Sequence, residues 1–162
     1  MMRKYIIIII ALVIMMILGM SIWYGLTPAT KVTLGKNQKV HAGDTVSVTV
    51  DVSSKEDVYG IQFDLLFDEE VLEFKDSNTK LSSEWYSGCK YIERGKLRVL
   101  LYDTSNFNAA INDVDLYEIF FVVKDKVNAR STMLDISDFR AFDKNGTNIS
   151  DIKCEGIGLK IK

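Results

Sequence analysis

The chain has 162 residues, with 22 acidic and 20 basic side chains and a single histidine. Arg3 and Lys4 precede a long apolar run, so Lys31 to Lys162 carries all 22 acids against 18 bases, a net charge of −4. That mild acidity argues against nucleic acid as a partner, because nucleic-acid binding draws on a clustered basic face, and the length beyond residue 30 is that of one domain.

Residues 1–4 form a short basic N-terminus, and Tyr5 to Leu26 follow for 22 residues without a charge. A membrane-spanning helix needs about 20 apolar residues, and positive residues stay cytoplasmic. The expectation is a single transmembrane helix over residues 5–26, cytoplasmic at its start, with Trp23 and Tyr24 at the interface. The alternative is a cleaved secretory signal ending near Thr27-Pro28-Ala29. Both readings place the rest outside the cell, after a short linker at residues 27–30. Pro28 is the only proline, and no long Pro/Gly/Ser linker separates anchor from domain.

Lys31 to Val40 reads as a first strand, followed by a turn at His41-Ala42-Gly43-Asp44. Val46, Val48, Val50 and Val52 then alternate with Ser47, Thr49 and Asp51. That period of two is the mark of a half-buried strand. Val58 to Phe74 holds the next two strands. Ile61, Phe63, Leu65 and Phe67 share one parity and Gly60, Gln62, Asp64 and Leu66 the other, before the acidic turn Asp68-Glu69-Glu70 and the return Val71-Leu72-Glu73-Phe74.

Lys75 to Gly88 is a polar segment holding Trp85 and Tyr86. Cys89 to Ile92 and Lys96 to Tyr102 form a hairpin around Glu93-Arg94-Gly95, with Leu97, Val99 and Leu101 opposite Arg98, Leu100 and Tyr102. Asp103 to Asp115 reads as a long loop or lid. Leu116 to Val123 is apolar on both parities apart from Glu118, which predicts a strand covered on both faces. Thr132 to Ile136 is a further strand, and Asn145-Gly146 marks a turn after Phe139 and Phe142. Ile157, Leu159 and Ile161 make the last strand.

About nine short strands with turn signals between them predict an all-β sandwich or jelly roll. The Gly60 strand with its Gln62-Phe63-Asp64-Leu65 run, Phe67-Asp68 and the Val71 to Phe74 return resemble the cohesin family, as does the opening Ala42-Gly43-Asp44-Thr45-Val46. Cohesins are extracellular β modules that hold dockerin modules. The resemblance covers residues 31–162 and implies a nine-stranded jelly-roll sandwich of two sheets. It also implies a partner-binding face built from the eighth, third, sixth and fifth strands. On this chain that face would present Gln62, Asp64 and Leu66 with Arg98, Leu100 and Tyr102. The best-known cellulosomal cohesins place an Asp and an Asn on the third strand to engage dockerin hydroxyls; Gln62 and Gly60 stand at those positions here.

Catalysis finds little to work with. His41 lies in a turn, and neither a Ser-His-Asp set nor a His/Cys metal spacing can be assembled. Asp68, Glu69 and Glu70 read as solvated turn charges. Asp143, Asn145, Asn148 and Asp151 are oxygen-rich, but glycine falls at the fourth position from Asp143 where a calcium loop of the EF-hand kind needs it at the sixth. No enzyme, metal or cofactor is expected. Asn145 and Asn148 each open an N-x-S/T sequon, a glycosylation site in an exported protein. Cys89 and Cys154 are expected unpaired, since the family layout sets their strands near different sheet edges.

The expected role is a non-catalytic cell-surface module that holds a protein partner, dockerin-like or other. A polysaccharide is the second candidate ligand, with Trp85 and Tyr86 as its aromatic platform and Tyr59 and Tyr91 as helpers. A structural envelope or filament subunit, polymerising through open strand edges, is the third.

Overall fold

The computed structural model describes residues 9, 12–16, 30–125, 128 and 130–162. The segment expected to span a membrane, residues 5–26, lies largely outside the described residues, as does the linker up to residue 29. No described helix is long and apolar enough to cross a membrane.

Among the described residues eleven strands form two facing sheets: β1 (Thr30–Leu34), β2 (Gln38–Val40), β3 (Thr45–Val58), β4 (Gly60–Phe67), β5 (Leu72–Thr79), β6 (Trp85–Glu93), β7 (Lys96–Asp103), β8 (Ile111–Val123), β9 (Ser131–Phe142), β10 (Ile152–Glu155) and β11 (Ile157–Ile161). The five-stranded sheet runs β10-β1-β3-β8-β5 and the six-stranded sheet β2-β11-β9-β4-β7-β6. The expected neighbours of the eighth, third, sixth and fifth strands are therefore present as β9-β4-β7-β6.

The expected nine strands become eleven because the first and the last each divide between sheets. β1 pairs with β3 and β10, whereas β2 pairs with β11 in the other sheet. The break falls at Gly35, whose N–H donates to the Thr49 carbonyl before the chain crosses over. At the other end β10 passes into β11 at Gly156, where a Cβ would lie 2.5 Å from the Leu134 carbonyl oxygen. Only glycine fits that close approach.

Other boundaries also move. The polar segment expected at Lys75 to Gly88 shrinks, because β5 reaches Thr79 and β6 already begins at Trp85. Both are edge strands and lack the apolar alternation of a central strand. The expected long loop contracts to residues 104–110, since β8 starts at Ile111 and pairs with Val58. β8 is covered on one face rather than both: Ile119, Phe121 and Val123 are buried, while Phe120 and Val122 on the outer face are only half-buried. Leu116 is the extra residue of a bulge opposite Val50 and Asp51, which lets both Leu116 and Tyr117 reach the core.

The core lies between the sheets. β4 contributes Ile61, Phe63 and Leu65, all fully buried, and β7 contributes Leu97, Val99 and Leu101 opposite them in register. β3 and β8 answer from the other sheet with Val46, Val48, Val50, Ile119 and Phe121. Phe67 packs on Phe121 with ring centroids 4.9 Å apart. Gly95 closes the β6–β7 hairpin at φ +66°, and a Cβ there would meet the Phe67 carbonyl oxygen at 2.4 Å.

Leu65→Ala should therefore lower stability by about 2–5 kcal/mol, the usual range for truncating a buried leucine. Denaturant unfolding of the full chain checks this.

Candidate functional site

The outer face of the six-stranded sheet is set by register. Across β9, β4, β7 and β6, one row holds Phe142, Gly60, Tyr102 and Tyr86, and the next holds Arg140, Gln62, Leu100 and Gly88. The third places Asp64 beside Arg98 and Lys90, and the fourth joins Asp135, Leu66 and Lys96. All six residues expected on the partner-binding face, Gln62, Asp64, Leu66, Arg98, Leu100 and Tyr102, thus lie together.

They differ sharply in access. Leu100 is 40% exposed, Tyr102 43% and Tyr86 47%. Tyr86 and Tyr102 stack, with ring centroids 4.8 Å apart and planes 25° from parallel. The stack forms a ridge between two hollows. On one side Gly88 leaves room under the Tyr86 ring, whose hydroxyl lies 3.0 Å from where a Cβ would sit. On the other, Gly60 leaves room for the Phe142 ring, 3.5 Å from an ideal Cβ.

Asp64 corrects the sequence expectation. Although on the outer parity, it is fully buried. Arg98 lies over it and donates two parallel hydrogen bonds, Nε to Oδ1 at 2.7 Å and Nη2 to Oδ2 at 2.8 Å. Lys96 Nζ stands 3.6 Å from Oδ2. The hydrogen bonds from Arg98 hold the Asp64 carboxyl below its ordinary range, outweighing the burial that would raise it. Both side chains are committed to each other, so Asp64 offers no oxygen to a partner and Arg98 presents mainly the back of its guanidinium. Gln62 and Leu66 are half-buried.

The aromatic pair expected to form a sugar platform is divided by the pleat. Trp85 points inward, 6% exposed, and its Nε1 donates to the Ala109 carbonyl at 2.9 Å. Tyr86 alone faces out and joins Tyr102. The helpers are elsewhere: Tyr59 meets the Phe107 ring edge-on at 5.7 Å, and Tyr91 packs edge-on against Phe74 at the sandwich margin. The β7–β8 loop does not cover Leu100. Asp103 ties it down by accepting from the backbone N–H groups of Ser105 and Phe107.

Sequence reading does not place three members on this face: Tyr86, expected only in a sugar platform with Trp85, and Arg140 and Phe142. Tyr86 sits in a stretch without alternation. Arg140 and Phe142 follow a bulge in β9, where Asp64 pairs with Ser137 but Gln62 pairs with Arg140. Asp138 takes φ 48° inside that bulge. One inserted residue reverses the parity downstream.

The remaining singled-out residues have structural roles. His41 donates its backbone N–H to Asp44 in an exposed turn. Glu69 and Glu70 both accept from Arg94, at 2.9 and 2.7 Å. Asp143 Oδ1 accepts from the N–H groups of Asn145 and Thr147, closing the turn rather than opening a cation loop. Asn145 and Asn148, the sequon asparagines, are exposed. Cys89 and Cys154 are free thiols in different sheets, and burial raises the pKa of both. Among the described residues no cluster of His, Cys, Asp and Glu could hold a metal ion.

Replacing Arg98 by methionine leaves the Asp64 carboxylate buried without its two hydrogen bonds, with Lys96 Nζ at 3.6 Å as its remaining counter-charge. The loss should be about 1–3 kcal/mol at neutral pH. Because the folded pKa of Asp64 is lowered, its contribution is complete above the unfolded value, about 3.9, and fades as pH falls through the folded value. The gap in stability between wild type and Arg98→Met should therefore shrink below about pH 4, read from unfolding curves at several pH values.

Comparison with known proteins adds a family. The family profile described as "Cohesin domain" matches residues 30–154. Among solved structures, the sixth cohesin of scaffoldin B from Acetivibrio cellulolyticus, in complex with a mutant Cel5 dockerin, superposes with a TM-score of 0.71 at 19% identity, covering 83% of this chain and 99% of that one. The cohesin module of a Clostridium perfringens family 33 glycoside hydrolase gives 0.71 at 17% identity, over 83% and 98%. A non-cellulosomal cohesin from the archaeon Archaeoglobus fulgidus gives 0.68 at 20%, over 82% and 91%. At these identities the likeness is one of fold. No curated protein matches the chain.

Proposed function

The chain belongs to the cohesin family, and from that premise we propose that it captures a dockerin-like protein module on the outer face of β9-β4-β7-β6. Cohesin domains are non-catalytic protein-binding modules. The observation that carries the choice of face is the exposed Tyr86–Tyr102 stack with Leu100 beside it, over a sheet whose other side is closed core. Contiguous exposed apolar surface marks a binding site, and interface centres are rich in tyrosine and poor in charge. Gly60 and Gln62 cannot supply the Asp and Asn contacts of the best-known cellulosomal type, and Asp64 is sealed under Arg98. The partner is then held by packing on an aromatic ridge rather than by carboxylate contacts to hydroxyls.

The module works outside the cell, tethered by the uncharged run over residues 5–26. Protease treatment of intact cells should remove the β domain; a domain cut only after lysis would reject this placement.

The binding face is tested by titrating the full chain against a panel of dockerin modules. Leu100→Ala and Tyr102→Ala should leave stability within about 0.5 kcal/mol of wild type and weaken capture by about 2 kcal/mol or more, some thirtyfold. Normal folding with undiminished capture in both variants would reject the face.

A further inference from the structure

The same outer face continues past β9 onto β11 and β2, and its character changes there. Lys39 of β2 and Lys160 of β11 are direct partners across a parallel strand pair, and Lys160 in turn sits beside Ser131 of β9. Arg130 is next in the chain to Ser131 and its carbonyl accepts from the Ile161 N–H, which keeps it at the same end of the sheet. Lys39, Arg130 and Lys160 are all exposed. They line a shallow groove with Asn37, Gly158 and Met133, and Met133 is 64% exposed.

Two features of this cluster bear on a ligand. First, its bases lack ion-pair partners, a property shared among the described residues with Lys36, Lys90, Lys124, Arg140, Lys144 and Lys162. Lys31 and Lys153 pair with Glu155, Lys75 with Glu73, Lys80 with Glu118, and Arg94 with Glu69 and Glu70. Among the described residues, which include every acid of the chain, none lies within ion-pair distance of Lys39, Arg130 or Lys160. Second, Lys39 and Lys160 repel. Adjacent strands lie about 4.8 Å apart, and like charges directly opposite each other destabilise a sheet. The Lys39–Lys160 pair therefore concentrates positive charge that an anion from outside would relieve.

We propose that the β2–β11–β9 end of this face binds a linear polyanion, a polymer with recurring phosphate or carboxylate groups. The groove suits an extended chain: Gly158 leaves its floor without a side chain, the bases stand along it, and Ser131 and Asn37 add polar contacts. Its lining holds no aromatic side chain, so nothing is present on which single-stranded bases would stack. This site does not depend on the dockerin reading of the Tyr86–Tyr102 half.

The test uses the full chain over a series of salt concentrations starting low, with inorganic polyphosphate and polygalacturonate as probes and phosphatidylglycerol vesicles as a third arm. Wild type should bind at least one polymer. Lys39→Gln/Lys160→Gln should weaken that binding at least tenfold and lower the salt slope by about two, one for each contact removed. The relative affinities of the two polymers then assign phosphate or carboxylate. Lys90→Gln/Arg140→Gln, on the aromatic half, should bind as wild type does, and dockerin capture should be unaffected by the Lys39/Lys160 change. No binding to either polymer, binding to vesicles alone, undiminished binding by Lys39→Gln/Lys160→Gln, or equal loss in the Lys90/Arg140 variant would each overturn the proposal.

Discussion

Strand β4 is hydrogen-bonded on both sides, to β9 and to β7, and its inward side chains Ile61, Phe63 and Leu65 have no contact with water. That double constraint leaves no freedom of register. A slip by one residue would carry three buried apolar groups to the surface and bring Gln62, Asp64 and Leu66 into the core. The position of every outward residue on β4 follows, and through the paired registers so does the position of Leu100, Tyr102 and Arg140. The face is as rigid as the core because the two are opposite sides of the same strands.

Charge on that face is distributed in three different ways. At the centre, Asp64 and Arg98 neutralise each other in a bidentate pair. Such a pair costs desolvation and returns directionality; here it removes a carboxylate from the surface and lets the apolar ridge beside it stay uncharged. Toward β2 and β11 the bases are left unmatched. Along the other sheet, by contrast, acids and lysines alternate in pairs such as Lys80–Glu118 and Lys31–Glu155. One six-stranded sheet thus presents an aromatic half and a cationic half, divided by β9 with its bulge at Asp138.

Glycines shape the aromatic half by omission. Gly60 and Gly88 lie in register positions on either side of the β7 strand, and each leaves space that an aromatic ring occupies, Phe142 over one and Tyr86 over the other. A Cβ at Gly88 would press on the Tyr86 ring, whose hydroxyl lies 3.0 Å away, whereas one at Gly60 would meet Phe142 at an ordinary contact distance of 3.5 Å. With glycine at position 60 the face there is one of shape rather than of hydrogen-bonding side chains.

The amino-acid order by itself determined the β class and the inward and outward sets of β3, β4 and β7, because a period of two in apolar residues survives any later arrangement of the strands; the resemblance to cohesins rested instead on the particular residues from Gly60 to Phe74. It also placed Leu100 and Tyr102 outward, since β7 alternates without interruption. Tertiary structure decided what pairing and crowding decide. The split of the first and last strands arises from hydrogen bonding to different sheets. The burial of Asp64 depends on a guanidinium from another strand closing over it, and the inward turn of Trp85 on an edge strand whose own sequence lacks alternation. The parity of Arg140 and Phe142 rests on a single inserted residue in β9. The cationic groove joins Lys39 to Lys160 across 121 positions of sequence, as its neighbouring contact between Asn37 and Gly158 does. No local pattern encodes such a meeting, because it is the closure of the sheet that brings the two ends of the chain side by side.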